Sequence, residues 1–325
     1  MERRALRMGK ASLWMISLLL AIGPAKSSAQ LQMPVASANP LADEAAEIKT
    51  AKALVRQGRT REAESEVRHY LDSGNDGESA RALLGLILYQ EDQWPASLAE
   101  YTRAAKFKTP SASELVVVAL DYVMLRDLPK ADLWMTEAVQ REPQNEAAWR
   151  YLGGIKYSEN RFAEAIDSYK MSLRLHPDNV LVEDGIGRSW EGLGSDEDAT
   201  TAYKTALEWQ SGVKEKHADP LLHLGALLAR EGKTESALPL LTAAEEIAPQ
   251  DPEVHERLGG IWMQIRQFKN AQLEYEKALA LSPANSHLHY QLASVYRKEG
   301  MVDQANRELQ VYSVLLGSHS SDKLH

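Results

Sequence analysis

Apolar residues recur along most of the chain three or four positions apart, which is the spacing of amphipathic helices. In residues 146–179, for example, Leu152 belongs to one such run, and Tyr169 and Leu173 belong to the next. A turn residue, Asn160, separates the two runs. The pattern predicts pairs of helices joined by short turns, and therefore an all-α fold.

Small residues follow a second pattern, with a period of 34 and four extra residues after the fifth block. The blocks begin near residues 44, 78, 112, 146, 180, 218, 252 and 286. The eighth place of each block holds Ala51, Gly85, Ala119, Gly153, Gly187, Gly225, Gly259 and Ala293. The twentieth place holds Ala63, Ser97, Ala131, Ala165, Ala199, Ala237, Ala271 and Ala305. One helical pair cannot bury both of its faces. We therefore expect the second helix of each block to pack on its own first helix and on that of the next block, with Gly or Ala where backbones cross closely.

The sequence Leu-Gly-Gly-Ile occurs twice, at residues 152–155 and 258–261, and both copies fall in register with the period. A doubled glycine inside helix-forming sequence suggests a phosphate-binding or catalytic loop. Since the first glycine of each copy stands at the eighth place, we interpret the doublet as a packing device.

The blocks resemble the tetratricopeptide repeat family, whose pattern is W-x2-L-G-x2-Y, then A-x3-F, then P. The fourth block shows this pattern at Trp149, Leu152, Gly153, Ala165, Tyr169 and Pro177. The resemblance covers residues 44–316. It implies an α-solenoid, a right-handed superhelix of about eight helix-turn-helix repeats, in which the first helices line a concave wall that binds protein or peptide partners.

The places that the resemblance puts on the concave wall give an apolar strip in the second and third blocks and an arginine and tyrosine cluster in the fourth and fifth. The candidate residues are Leu83, Leu86, Tyr89, Val116, Leu120, Met124, Arg150, Tyr151, Tyr157 and Arg188. Such a surface suits a peptide with hydrophobic anchors and a neighbouring carboxylate. The alternative is that the apolar residues pack between adjacent helices.

The N-terminal region has the pattern of a secretory signal. Basic residues from Arg3 to Lys10 precede an apolar stretch at residues 11–22 and a small-residue site ending at Ala29. We expect export, with residues 1–29 removed, although an uncleaved membrane anchor stays an alternative. Residues 30–43 are expected to be a flexible linker and residues 317–325 a disordered tail.

Composition narrows the possible partners and chemistry. The chain has no cysteine, which excludes disulfides and thiolate metal sites. Its formal net charge of -9 would become -13 without residues 1–29, because five basic residues and one acidic residue leave. Such a charge disfavours nucleic acid as a partner.

The sequence contains only parts of motifs with known chemistry. His255-Glu256 begins like the zinc motif H-E-x-x-H, but Gly259 stands at the second ligand position. His287 and His289 are two residues apart, and a helix points them in different directions, so we interpret them as surface histidines. We expect no catalytic residues, no metal and no cofactor.

The sequence therefore favours a non-catalytic exported scaffold, periplasmic or secreted, that binds a protein partner during assembly, secretion or regulation of an envelope complex. One alternative is a self-associating adaptor that uses apolar residues of the last helix, namely Leu309, Tyr312, Leu315 and Leu316. An enzyme or a small-ligand receptor is the third possibility.

Overall fold

The computed structural model describes residues 45–321, which form sixteen α-helices and no strand. The helices are α1 (Ala46–Arg56), α2 (Thr60–Asp72), α3 (Glu78–Gln90), α4 (Trp94–Ala104), α5 (Ala112–Met124), α6 (Leu128–Arg141), α7 (Glu146–Ser158), α8 (Phe162–Leu175), α9 (Val180–Leu193), α10 (Asp196–Trp209), α11 (Asp219–Arg230), α12 (Thr234–Ile247), α13 (Pro252–Gln264), α14 (Phe268–Leu281), α15 (Ser286–Lys298) and α16 (Val302–Ser321). The predicted signal at 1–29 and the predicted linker at 30–43 lie outside the described residues.

Consecutive helices form eight hairpins, each with a first helix (helix A) and a second helix (helix B). The prediction of an all-α array of helix-turn-helix repeats is thus confirmed over the described residues. The last helix continues to Ser321, whereas the sequence predicts a disordered tail from residue 317.

The chain divides into two compact units, with the boundary between Pro177 and Asp178. Unit 1 contains α1–α8 and unit 2 contains α9–α16. Within each unit, helix B of a hairpin contacts its own helix A and the helix A that follows. Neighbouring A helices also contact each other, along α1, α3 and α5 in unit 1 and along α9, α11 and α13 in unit 2. The A helices therefore form a layer within each of these two runs.

The eight hairpin turns share one backbone conformation. In each turn a residue with positive φ follows helix A: Gly58, Asp92, Arg126, Asn160, Gly194, Gly232, Arg266 and Gly300. The amide after it donates to a carbonyl five residues earlier, as from Arg59 to Leu54 at 3.0 Å and from Asp127 to Tyr122 at 2.8 Å. This is the Schellman ending of a helix, which satisfies carbonyls that the last helical turn leaves without partners.

Glycines at the eighth place leave room for a large side chain from helix B of the same hairpin. A Cβ added to Gly153 would lie 2.5 Å from the ring of Tyr169, and one added to Gly187 would lie 2.5 Å from the ring of Tyr203. Gly85, Gly225 and Gly259 face Tyr101, Leu241 and Tyr275 in the same way. The predicted packing role is therefore right, but the neighbour is a side chain sixteen residues later and not a crossing backbone.

Small residues at the twentieth place are buried in every hairpin. The seven alanines and Ser97 at this place are each at most 1% exposed. A larger side chain there would push the paired helices apart, which is why the place admits only Ala or Ser.

One polar residue occupies a core position in unit 1. Asp121 stands at the tenth place, where other blocks have Ile87, Ile155 or Leu227, and it is fully buried. Its Oδ2 accepts a hydrogen bond of 2.6 Å from Ser97 Oγ, and its Oδ1 has no hydrogen-bond partner among the described residues. Burial raises the pKa of the Asp121 carboxyl to about 7, although the bond from Ser97 opposes this shift.

Candidate partner-binding site

The candidate residues of unit 1 lie on the A helices α3, α5 and α7, at two depths. Leu83, Val116, Leu120 and Tyr151 are only 5–7% exposed and belong to the hydrophobic clusters that hold the hairpins together. The other five residues of unit 1 in the set are half-buried, namely Leu86, Tyr89, Met124, Arg150 and Tyr157. The first group is therefore packed in the core, and the second group supplies the accessible side chains of α3, α5 and α7, which are called below the helix A layer of unit 1.

Tyr89 links the apolar part of this surface to the arginine. Its ring packs against the cluster that contains Leu120 and Tyr151. Burial raises the pKa of the Tyr89 hydroxyl, with a smaller contribution from Tyr151, so the hydroxyl stays protonated. The guanidinium of Arg150 lies over the ring of Tyr151, 4.8 Å from its centroid. An apolar strip, a tyrosine hydroxyl and an arginine thus adjoin one another.

The charge of Arg150 is partly balanced within its own helix. Its Nε lies 3.6 Å from Glu146 Oε1, which is too long for a hydrogen bond. That carboxylate oxygen instead accepts a hydrogen bond of 2.6 Å from Ser172 Oγ. Because the ion pair is loose, a carboxylate brought by a partner can compete for the guanidinium.

Arg188 belongs to unit 2, where the helix A surface is charged. Arg188 is buried, and one turn before it on α9 Asp184 Oδ1 lies 2.7 Å from His223 Nδ1 on α11. Burial lowers the pKa of His223, but the Asp184 carboxylate more than offsets this and the net shift is upward. Burial also raises the pKa of Glu253, which pairs with Arg257 at 2.8 Å. The predicted residue Arg188 is thus buried, and its charge acts on His223, whose pKa it lowers.

Sequence reasoning missed a charged pair between the fourth and twenty-third places of a block. These places hold Arg81 and Glu100, His255 and Glu274, and His289 and Glu308, with closest N to O distances of 2.9, 2.8 and 2.6 Å. Three other blocks have uncharged residues at both places, such as Leu221 and Leu240, whereas the first block has Glu47 and Glu66 and the fifth has Glu183 and Ala202. Because charge at one place does not always accompany opposite charge at the other, a comparison of the blocks alone does not predict the pairing.

His289, which the sequence predicts to be a surface histidine, is half-buried. Its side chain is 13% exposed, its Nδ1 lies 2.6 Å from Glu308, and its Nε2 lies 3.1 Å from the Pro283 carbonyl. His287 is more exposed, at 37%, and lies 3.7 Å from Glu256. The two histidines, two residues apart on helix A of the last hairpin, therefore differ in exposure because they point in different directions.

Within residues 45–321, no helix combines the length and the apolar character that crossing a bilayer requires.

Hairpins of constant length, packed through small residues at fixed places, define an α-helical repeat protein. A model of the tetratricopeptide repeat family matches residues 48–113 and 119–180, so this part of the chain consists of tetratricopeptide repeats. Tetratricopeptide repeats generally act as scaffolds for protein–protein interaction.

Curated relatives resemble the chain over part of their length. It is 23% identical over 170 residues to mouse (Mus musculus) protein O-mannosyl-transferase TMTC3, covering 49% of this chain and 18% of that protein. It is 25% identical over 205 residues to anaphase-promoting complex subunit 6 of Arabidopsis thaliana, covering 61% of this chain and 37% of that protein. The chain therefore spans well under half the length of these relatives.

Among solved structures, the chain resembles a tetratricopeptide repeat protein from Parabacteroides merdae. The TM-score is 0.63 at 15% identity, and the match covers 77% of this chain and 97% of that one. At this identity the likeness shows the fold alone.

Proposed function

We propose that the protein is a non-catalytic scaffold whose unit 1 binds a partner peptide on its helix A layer. The proposal rests on three adjacent side chains. The half-buried Tyr89 packs against the cluster that contains Tyr151, and the guanidinium of Arg150 lies over the Tyr151 ring. Half-buried Leu86 and Met124 lie on the A helices α3 and α5, which contact each other. The peptide carries apolar anchors for these two side chains and a carboxylate for Arg150.

The peptide-binding part is tested by photocrosslinking in the native host. A photoreactive amino acid at Leu86 is expected to trap one partner, and a second substitution, Arg150→Gln, is expected to reduce the yield. Leu133 on α6 is the matched control, since it is apolar, 60% exposed and on a helix B of the same unit. Equal crosslinking from Leu86 and Leu133 would remove the helix A layer as the binding surface.

We also propose that the scaffold acts outside the cytoplasm and serves an envelope complex. The support is the basic segment from Arg3 to Lys10 followed by the apolar residues 11–22. Cell fractionation should recover the protein outside the inner membrane, with Gln30 as the N-terminal residue. Recovery of full-length protein in the cytoplasm would contradict this proposal without affecting the binding surface.

Self-association is a second candidate function, favoured by the exposed apolar residues of α16. Val311, Val314 and Leu316 are 40%, 64% and 45% exposed. Of the residues that the sequence singles out on this helix, Leu309, Tyr312 and Leu315 are half-buried, and the Tyr312 ring lies 5.5 Å from that of Tyr290. The molar mass in solution tests the idea: a dimer that Val314→Glu dissociates supports it, and a monomeric wild type removes it.

A further inference from the structure

Three helices of unit 2 bring one histidine and two carboxylates together. Glu245 lies on α12, His255 on α13 and Glu274 on α14, and one ligand atom from each lies within 4.8 Å of the others. His255 Nδ1 is 2.8 Å from Glu274 Oε2 and 3.7 Å from Glu245 Oε1. His255 and Glu274 are buried, and Glu245 is half-buried. The group joins the sixth hairpin to the seventh.

The imidazole of His255 is oriented so that Nδ1 faces the carboxylates of Glu245 and Glu274. His255 Nε2 lies 3.0 Å from the Pro249 carbonyl oxygen, which only accepts hydrogen bonds, so Nε2 carries the hydrogen. Nδ1 faces the oxygens of Glu245 and Glu274, where it donates to Glu274 Oε2 in the protonated ring and offers a lone pair in the neutral ring. In the neutral ring the lone pair and the two carboxylates repel one another unless a cation takes the place of the proton. In metal-binding histidines the nitrogen that does not bind the metal usually donates a hydrogen bond to a carbonyl or a carboxylate, as His255 Nε2 does to the Pro249 carbonyl.

A lysine supplies positive charge from the surface side. Lys277 Nζ lies 2.9 Å from Glu245 Oε1 and 2.9 Å from Glu274 Oε1. Its side chain is 39% exposed, and its flexible stem lets the ammonium move into solvent. The ammonium therefore neutralises the carboxylates and is also a competitor that a bound cation can displace.

We propose that Glu245, His255 and Glu274 form a binding site for a divalent transition-metal ion of the zinc class. Zinc binds imidazole nitrogen and carboxylate oxygen at about 2.0 to 2.2 Å, which places tetrahedral ligands about 3.3 to 3.6 Å apart. The two distances from His255 Nδ1, 2.8 and 3.7 Å, bracket this range. Magnesium and calcium take oxygen ligands almost exclusively, so the nitrogen selects against them. The ion crosslinks two successive hairpins.

The next block provides a natural comparison. His289, Glu308 and Pro283 repeat the imidazole, carboxylate and carbonyl arrangement, with distances of 2.6 and 3.1 Å. There Leu279 of the preceding block stands at the place of Glu245, and Val311 stands at the place of Lys277. The third ligand and the competing lysine are thus both missing there, and this copy offers only two ligands.

Titration of the full chain with zinc chloride, followed by calorimetry, tests the proposal. We expect one equivalent to bind, with binding lost in Glu245→Gln and in His255→Gln and kept in the matched control His289→Gln. Replacing zinc with cobalt(II) gives an absorption spectrum that reports a nitrogen and oxygen ligand set independently of heat. Lys277→Met should tighten binding about tenfold or more, because it removes the competing ammonium.

Three results would overturn the site: no stoichiometric binding to the wild type, the same binding in Glu245→Gln as in the wild type, or no tightening of binding in Lys277→Met. The last result is the one expected of a purely structural ion-pair network, which predicts no gain in metal affinity. Circular dichroism checks that each variant is folded. Should His255→Gln fail to fold, Glu245→Gln and Lys277→Met still decide the question, because both residues are partly exposed.

Discussion

The two glycines of the first Leu-Gly-Gly-Ile segment differ in what an added methyl group would meet. A Cβ at Gly153 would lie 2.5 Å from Cδ1 and 2.6 Å from Cε1 of Tyr169. A Cβ at Gly154 would have the Tyr169 hydroxyl as its nearest neighbour, at 3.7 Å, which is an ordinary contact. We therefore expect Gly153→Ala to destabilise the protein and Gly154→Ala to stabilise it.

The expected size of the difference follows from this geometry. Carbon atoms normally approach to about 3.5 to 4.0 Å, so the Gly153→Ala methyl overlaps the ring by about 1 Å. Tyr169 is 1% exposed, so its ring cannot move aside into solvent. Overpacking of this kind costs about 1 to 3 kcal/mol, whereas Gly to Ala in a helix interior gains about 0.5 to 1 kcal/mol. Since the gain is common to both variants, Gly154→Ala should be the more stable by about 1 to 3 kcal/mol.

Urea denaturation followed by far-ultraviolet circular dichroism measures this difference. Because repeat arrays need not unfold in one step, the transition midpoints and the thermal midpoints are compared together. A second substitution, Tyr169→Met, should restore much of the stability of Gly153→Ala. Ala119 and Met135 already occupy the same two places in the third hairpin and pack in one core cluster.

The second Leu-Gly-Gly-Ile segment repeats the test in unit 2. An added Cβ would lie 2.9 Å from the Tyr275 ring at Gly259 and 3.8 Å from its hydroxyl at Gly260. The same order of stability is expected, with a smaller difference because the overlap is smaller. Equal stability of Gly153→Ala and Gly154→Ala would refute the claim that the first glycine exists to admit the tyrosine.

Three further substitutions test the buried acid and the turns. The pKa of Asp121 is about 7 in the folded protein, against about 3.9 when unfolded, so the contribution of this group to stability is complete below about pH 4 and falls as pH rises to 7. The fall in the free energy of unfolding is about 4 kcal/mol. Denaturation midpoints measured at successive pH values should show this fall in the wild type and not in Asp121→Asn. Parallel profiles for the two proteins would contradict the prediction. Arg126 and Gly232 both have positive φ, at 62° and 80°. Arg126→Gly should therefore stabilise the protein by roughly 0.5 to 1 kcal/mol, and Gly232→Ala should destabilise it by a similar amount. Thermal denaturation measures both effects. A loss of stability in Arg126→Gly would show that its side-chain contacts matter more than its backbone.

Periodicity predicted the helices and the small packing positions because each block repeats the same physical problem. The turns were only partly visible in the sequence. Gly58 and Asn160 are residue types that enter the left-handed region easily, whereas Arg126 and Arg266 are not. The hairpin imposes that conformation at every turn, since each turn makes the same bond back into helix A. Tertiary geometry here overrides the preference of the residue.

The candidate site was less predictable, because spacing alone does not give the depth of a side chain. Leu83 and Leu86 are less than one helical turn apart on α3, yet Leu83 is buried in the core and Leu86 is half-buried. Arg188 looked like a groove residue from its place, but it is buried within unit 2, where Asp184 pairs with His223. Each outcome depends on which side chains the neighbouring helices present, and a single block does not contain that information.

The pairing of the eighth and twenty-fourth places explains how these different blocks keep one architecture. Where the eighth place is glycine, the partner is usually tyrosine, as in Gly153 with Tyr169. Where it is alanine, the partner is smaller, as in Ala51 with Val67, which share a core cluster. The volume added on one helix is thus removed from the other, which keeps the separation of helices A and B similar from hairpin to hairpin. This compensation accompanies the contacts between successive A helices along α1, α3 and α5 and along α9, α11 and α13.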